Sequence, residues 1–482
     1  MLARYLALAA LFPAALAVGY GEPVFPFLGA GVIVAAAGFA LEKGLGGATS
    51  VGFREGYLVV ALTWVAAAAF GALIYLLSGN AQLDRPVDAI FESMSGFSTT
   101  GATVLTDVEA LDRSLLMWRQ MTQWLGGMGI IVLALAVLPR LRVGGRQLFE
   151  SEVPGPETDG FTERIRDTAR RLWGLYLALT VLLFLLLTLV GYLGDGLMGP
   201  YEALAHAFTT LPTGGFSTEP RSVEEFSAAV QWVLIVFMVI AGLNFALLYR
   251  LVIRRDPRPI ALDEEVRVYL AALALAATVL ATELWSEGFA SGERAIRQGA
   301  FQATSLMTTT GYSNVDFAIW PTLAVMTLVA LMFVGGSAGS TSGSIKIVRH
   351  VLMGKSLRRE LRQTVHPEEV IPIRLNKRGL DERTVRAATF FVLLYLGFFA
   401  AGAAIIAIDT AAQGPDLSPI DAIAASATTL GNVGPALGTA GPVGSFEEFS
   451  DVSSFTMIIL MWLGRLEIIP VAVLATRRYW RT

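Results

Sequence analysis

The sequence predicts an all-α polytopic membrane protein. Three observations carry the prediction: an apolar composition, a sorting of charge along the chain, and an internal fourfold repeat. Of 482 residues, 54% are hydrophobic and only 16% charged, against about 25% charged in a soluble globular protein. That composition excludes a disordered chain and a coiled coil. The absence of cysteine excludes a disulfide scaffold, thiolate catalysis, iron–sulfur clusters and cysteine-based zinc sites. Three histidines, His206, His350 and His366, are too scattered for a histidine-rich metal site.

A membrane helix needs about 20 mainly apolar residues. Ten stretches reach or approach this length: 5–20, 23–41, 56–77, 115–138, 172–193, 229–253, 268–285, 319–348, 388–408 and 455–475. The first is short. Arg4, the apolar run and Ala15-Leu16-Ala17 also fit a signal peptide.

Basic residues cluster in alternate connections. Seven lie between Arg140 and Arg171, five between Arg250 and Arg267, eleven between Lys346 and Arg386, and three in the tail at Arg477, Arg478 and Arg481. The other long connections hold Arg85, Arg113, Arg221, Arg294 and Arg297 alone. The basic side is therefore cytoplasmic, with both termini inside. The external loops carry Asp107, Glu109, Asp112, Glu219, Glu224, Glu225, Glu447, Glu448 and Asp451. This is either an acidic mouth that concentrates cations or an ordinary solvated surface.

Each external connection contains a short apolar segment, then a Thr/Gly/Ser cluster, then the next span. The clusters centre on Thr99-Thr100-Gly101, Thr213-Gly214-Gly215, Thr309-Thr310-Gly311 and Leu430-Gly431-Asn432. With Gly101, Gly215, Gly311 and Gly431 in register, the spacings are 114, 96 and 120 residues. A repeat of helix, re-entrant segment and helix decides the architecture. The fold is then four helix–pore loop–helix repeats around one central pore, plus two N-terminal helices. Its parts are an N-terminal extension over 1–55 and pore repeats over 56–140, 165–258 and 262–350. A basic cytoplasmic loop over 351–384 and a fourth repeat over 385–482 complete it.

Irregular backbone at membrane depth is tolerated only when buried or lining a wet cavity. A short helix entering from outside aims its negative C-terminal dipole end at the centre. The glycine after it permits a left-handed or extended backbone that turns carbonyls inward. Four such strands make a ring that can replace a cation's hydration shell. No carboxylate sits in the Thr/Gly clusters, which favours a monovalent cation held by neutral dipoles.

These motifs resemble the membrane subunit of the Trk/Ktr potassium uptake family, over about Leu58 to Leu474. They are Thr99-Thr-Gly-Ala-Thr103, Gly214-Gly-Phe-Ser-Thr218, Thr309-Thr-Gly-Tyr-Ser313, Thr428-Thr-Leu-Gly-Asn-Val-Gly-Pro435 and Gly335-Gly-Ser-Ala-Gly-Ser-Thr-Ser-Gly-Ser-Ile-Lys346. The two helices before the first repeat fit the TrkH-type branch better than the shorter KtrB-type. The resemblance implies potassium as the transported ion and potassium binding at the filter residues above. In that family a serine at the first filter glycine accompanies sodium permeation, so Gly101 implies potassium. It also implies no organic cofactor, a homodimer, a bacterial cytoplasmic (inner) membrane location, and a separate cytosolic TrkA-type nucleotide-binding ring.

The eighth span is interrupted by Gly335, Gly336, Gly339 and Gly343 among serines and a threonine. A helix would not persist well through them. A phosphate-binding glycine loop fails, because the segment follows a membrane span and Lys346 completes no Gly-Lys-Ser/Thr. What remains is a flexible broken helix or a close-packing site. The resemblance implies the intramembrane loop that obstructs the pore and moves in gating.

Arg465 is a basic residue well inside a span, where a charge is functional by default unless it is paired. The resemblance implies that it projects below the filter as a barrier; the alternative is an ion pair with Glu467. Lys346 and Arg349 read as snorkelling anchors or as contacts for a regulatory partner. His206 reads as a packing residue or a pH sensor, and Gly126-Gly-Met-Gly129 as small-residue helix packing. A sodium- or proton-coupled transporter is the competing scheme. It is disfavoured because all four repeats share one orientation and no carboxylate pair lies mid-membrane. No catalytic dyad or triad is legible, so the chain is not read as an enzyme.

Overall fold

The structure, a computed structural model, describes residues 7–44, 53–141, 159–194, 196–413 and 417–481. Arg4, part of the signal-peptide reading, and Arg142 and Arg146, which entered the charge argument, lie outside these residues. Two N-terminal helices, α1 (Leu11–Tyr20) and α2 (Phe25–Gly44), come first. The first repeat is α3 (Phe53–Ser78), α4 (Pro86–Phe97) and α5 (Arg113–Leu141). The second is α6 (Asp159–Leu193), α7 (Pro200–Thr210), α8 (Ala228–Ala241) and α9 (Phe245–Val252). After the short α10 (Arg258–Leu262), the third is α11 (Glu264–Ser286), α12 (Gly292–Met307), α13 (Thr322–Met332) and α14 (Ile347–Val365). The fourth is α15 (Glu382–Gln413), α16 (Pro419–Gly431), α17 (Asp451–Arg465) and α18 (Ile469–Leu474), with α19 (Arg477–Trp480) after it.

The short helices α4, α7, α12 and α16 are the pore helices. Three of them start on proline, which is pre-set for the first helical turn and has no N–H to leave unpaired. The Ser418 side chain also forms a capping box with Asp421 at the start of α16. All four pore helices are buried over their C-terminal halves, so they end inside the molecule.

Fewer spans are continuous than the ten apolar stretches suggested. Among the described residues, five helices are long and apolar enough to cross a membrane, or up to six counting one bent pair. That pair is α8 and α9, bent by 108°. The cause is local: Asn244 accepts from the N–H groups of Ala246 and Leu247 and so starts a new helix after Gly242. In the third repeat α13 stops at Met332 and α14 begins only at Ile347. In the fourth, α17 ends at Arg465, and Glu467 and Ile468 take positive φ before α18. The second helix is thus interrupted in three repeats, where the sequence signalled one.

The basic loop over 351–384 is half helix, because α14 runs on to Val365. It then forms a two-stranded hairpin, β1 (Arg374–Leu375) with β2 (Arg378–Gly379), turning through Asn376 and Lys377 at positive φ. Asn376 docks this hairpin on the start of α11: its Oδ1 accepts from the Glu264 N–H at 2.7 Å and its Nδ2 donates to Asp263 at 2.8 Å.

Candidate ion pathway

The four pore helices end alike. A residue at positive φ follows each: Thr99 (53°), Thr213 (56°), Thr309 (57°) and Asn432 (53°). Two residues later stands a glycine, also at positive φ: Gly101 (85°), Gly215 (80°), Gly311 (81°) and Gly434 (110°). The residue between them donates its N–H back to the pore helix. Thr100 bonds Ser95 O at 2.9 Å, Gly214 bonds Thr209 O at 2.8 Å, Thr310 bonds Ser305 O at 2.8 Å and Val433 bonds Thr428 O at 2.9 Å. The same ladder in each repeat fixes the register.

That register corrects the fourth repeat. Leu430 and Gly431 are the last residues of α16, and the strand equivalent to Thr-Thr-Gly is Asn432-Val433-Gly434. Asparagine enters the left-handed region more readily than most residues, so it replaces threonine at the turn and the glycine follows three residues later than expected.

The four glycines close a ring. A Cβ on Gly101 would overlap the carbonyl oxygen of Gly214, one on Gly215 that of Thr310, and one on Gly311 that of Val433. On Gly434 it would meet the carbonyl oxygen of Thr100. Each strand thus presses a glycine on the carbonyl of the next, in chain order, and the fourth returns to the first. A side chain there would force the neighbouring strand to shift and would hold a φ that L residues rarely adopt.

Beneath the ring lies the segment between α13 and α14. The Gly343 N–H donates to Thr309 Oγ1 at 2.6 Å, and the Thr341 hydroxyl donates to Leu211 O at 3.0 Å. Gly335, Gly336 and Gly343 lie against backbone too closely for a Cβ, and Gly339 packs on Asn244. Arg465 is buried here. Its Nη1 donates to Thr341 O at 2.9 Å and its Nη2 to Gly126 O at 3.1 Å.

Residues 30–481 match the model of the TrkH family, described as cation transport protein. The Trk system potassium uptake protein TrkH of Escherichia coli K12 is 38% identical over 432 residues, covering 89% of this chain and 86% of that one. The protein of the same name from Halomonas elongata is 37% identical, with the same coverage. The crystal structure of the potassium transporter TrkH from Vibrio parahaemolyticus superposes with a TM-score of 0.88 at 32% identity, covering 100% of this chain and 97% of that one. The chain belongs to the TrkH family.

For this TrkH-family chain, the structure decides between the alternative readings of several side chains. Arg465 does not pair with Glu467, whose carboxylate instead pairs with Arg349. Lys346 and Arg349 are buried, and Lys346 donates to Ser342 O, so neither is a snorkelling anchor. His206 is satisfied inside the protein: Nδ1 meets Glu202 O at 2.7 Å and Nε2 meets Ser217 Oγ at 3.0 Å. Gly126 packs on the Phe97 backbone, Gly127 on Pro212 and Gly129 on Trp64, as small-residue packing requires.

Four participants were missed. Glu265 Oε1 accepts from the N–H groups of both Ala338 (2.7 Å) and Val348 (3.2 Å), tying the middle of the loop to the start of α14. Gln123 grips the second filter strand, donating to Gly214 O at 2.7 Å and accepting from the Phe216 N–H at 3.2 Å. Arg119 and Glu92 form a buried ion pair at 2.5 Å. A charge inside an apolar span is a readable signal for Arg119. Glu265 sits at a helix start, where acidic residues are ordinary, and gave no such signal.

Proposed function

We propose that this chain carries potassium ions into the cell across the cytoplasmic membrane, as its likeness to potassium uptake proteins suggests. The single observation that carries the reading is the closed ring of glycines and carbonyls at Gly101, Gly215, Gly311 and Gly434. Neutral oxygens on strands held at fixed φ suit a desolvated monovalent cation. The filter residues are then Thr99, Thr100, Gly101, Thr213, Gly214, Gly215, Thr309, Thr310, Gly311, Asn432, Val433 and Gly434. The loop holding Gly335, Gly336, Gly339 and Gly343 is the gate, and Arg465 the electrostatic barrier beside it.

The basic loops face the cytoplasm and both termini lie inside, as the sorting of charge supports. The chain works as a homodimer with a separate cytosolic nucleotide-binding ring. The carboxylate beside the filter strands supports a channel-like path over a coupled one, because Glu92 is paired with Arg119.

The test is growth of a potassium-uptake-deficient strain on low potassium. The chain is expressed with its cytosolic partner, alongside Gly101→Ser and Gly311→Ser. Rescue by the wild type and loss of potassium preference in both variants are expected. An inserted wild type that fails to rescue overturns the proposal.

A further inference from the structure

Counting nine residues back from each filter glycine reaches Glu92, His206, Gln302 and Ala425. The first three are fully buried polar side chains on the pore helices. Each reaches across to the strand that leaves its own filter. Glu92 accepts from the Thr103 hydroxyl at 3.0 Å and from the Val104 N–H at 3.1 Å. His206 meets Ser217 Oγ at 3.0 Å. Gln302 donates to Asn314 Oδ1 at 3.1 Å. Thr103 and Ser217 both stand two residues past their glycine, and Asn314 three. In the fourth repeat the same two places, 425 and 436, are alanines.

The first strut is extended by Arg119. Its Nε donates to Glu92 at 2.5 Å, its Nη1 donates to Ser217 O at 3.1 Å, and its guanidinium lies 3.4 Å from the Phe216 ring centroid. One ion pair therefore ties the exit strand of the first repeat to that of the second. Arg119 also lines the outer mouth together with all four filter glycines.

We propose that Glu92, His206 and Gln302 are positioning residues that set the width of the filter, and that the Glu92–Arg119 pair is its specificity-determining brace. The inference rests on the filter reading above. Discrimination between monovalent cations requires carbonyl oxygens held in place, and a strand that can shift admits the smaller ion. A pore helix is anchored by its packing, so a side chain from it to the exit strand fixes the strand's far end. Removing either ionic partner leaves the other buried without compensation, and the two strands part.

The experiment is rubidium uptake into liposomes, with sodium as competitor, at matched amounts of inserted protein. Wild type is compared with Glu92→Ala, Gln302→Ala, Arg119→Ala and Arg119→Lys. Glu92→Ala and Gln302→Ala are each expected to raise the rubidium KM and to lower rubidium-over-sodium discrimination about tenfold. Arg119→Lys is expected between wild type and Arg119→Ala, because it keeps the charge and loses the second donor. A role in folding alone would lower the maximal rate for both ions and leave their ratio unchanged, and that result overturns the inference. Should Glu92→Ala not insert, Gln302→Ala decides, since it strands no charge. A wild type that takes up no rubidium removes the filter reading, and this inference with it.

Discussion

The Arg465 guanidinium donates to the backbone carbonyl of Thr341 at 2.9 Å. A positive charge is thereby held against the loop that lies beneath the glycine ring. Arg465→Ala removes the charge and one anchor of the loop together. A unit charge some 8 Å away contributes about 2 kcal/mol at an effective dielectric of 20. Rubidium flux into liposomes is expected to rise by up to about thirtyfold. Equal flux at equal protein content would count against a barrier role.

Gly434 and Gly431 separate the two possible registers of the fourth repeat. Gly434 is at φ 110° and faces Thr100 O, whereas Gly431 closes a helix with no positive φ. Gly434→Ala is expected to abolish selective uptake. Gly431→Ala is expected to retain it at reduced level, because a Cβ there meets neighbours at 3.1–3.3 Å. Competition of rubidium uptake by sodium distinguishes the two, and the opposite ranking would restore the earlier register.

Glu265 clasps the middle of the loop to the start of α14 through one oxygen. Glu265→Gln keeps an acceptor for both N–H groups, while Glu265→Ala leaves them bare in a buried place. The alanine variant is expected to leak rubidium in the absence of any partner, and the glutamine variant to stay near wild type. Two variants with the same basal flux would show that the clasp does not hold the loop closed.

Outside the membrane, Glu219 lines the outer mouth. Burial raises its carboxyl above the ordinary range, and Glu225, Glu109 and Glu202 push it the same way. Its negative charge is present above that raised value and is lost as external pH falls through it. Uptake at low external potassium is expected to fall over mildly acid pH, with a rise in KM. Glu219→Gln should give the acid-side KM at every pH. A wild-type KM that ignores external pH would exclude this contribution.

The sequence exposed the fourfold plan because three repeats place Thr-Gly or Gly-Gly after a short apolar run, and the fourth places Thr428-Thr429 shortly before Gly431. It misplaced the fourth strand because Thr428-Thr429 copies the motif inside a helix, while the working turn uses Asn432. The break after Gly242 was faintly legible in Asn244, a good helix start. The break at Glu467 and Ile468 was not, since neither residue favours positive φ. Its neighbour Glu467 is instead held by Arg349 from the third repeat. Partners separated by more than a hundred residues leave no spacing to read. The struts were hidden for another reason: Glu92, His206 and Gln302 differ in chemistry, and only the fold joins each to the strand that leaves its own filter.

The ring is closed by one polypeptide, so its quarters are not copies. In a pore built from four identical subunits every mutation arrives four times at once. Here a mutation arrives once, and three quarters remain to buffer it. The unlike residues at 92, 206, 302 and 425 are what such a history would leave. Divergence can proceed one quarter at a time, and the alanine quarter is the place where a new side chain would displace the least.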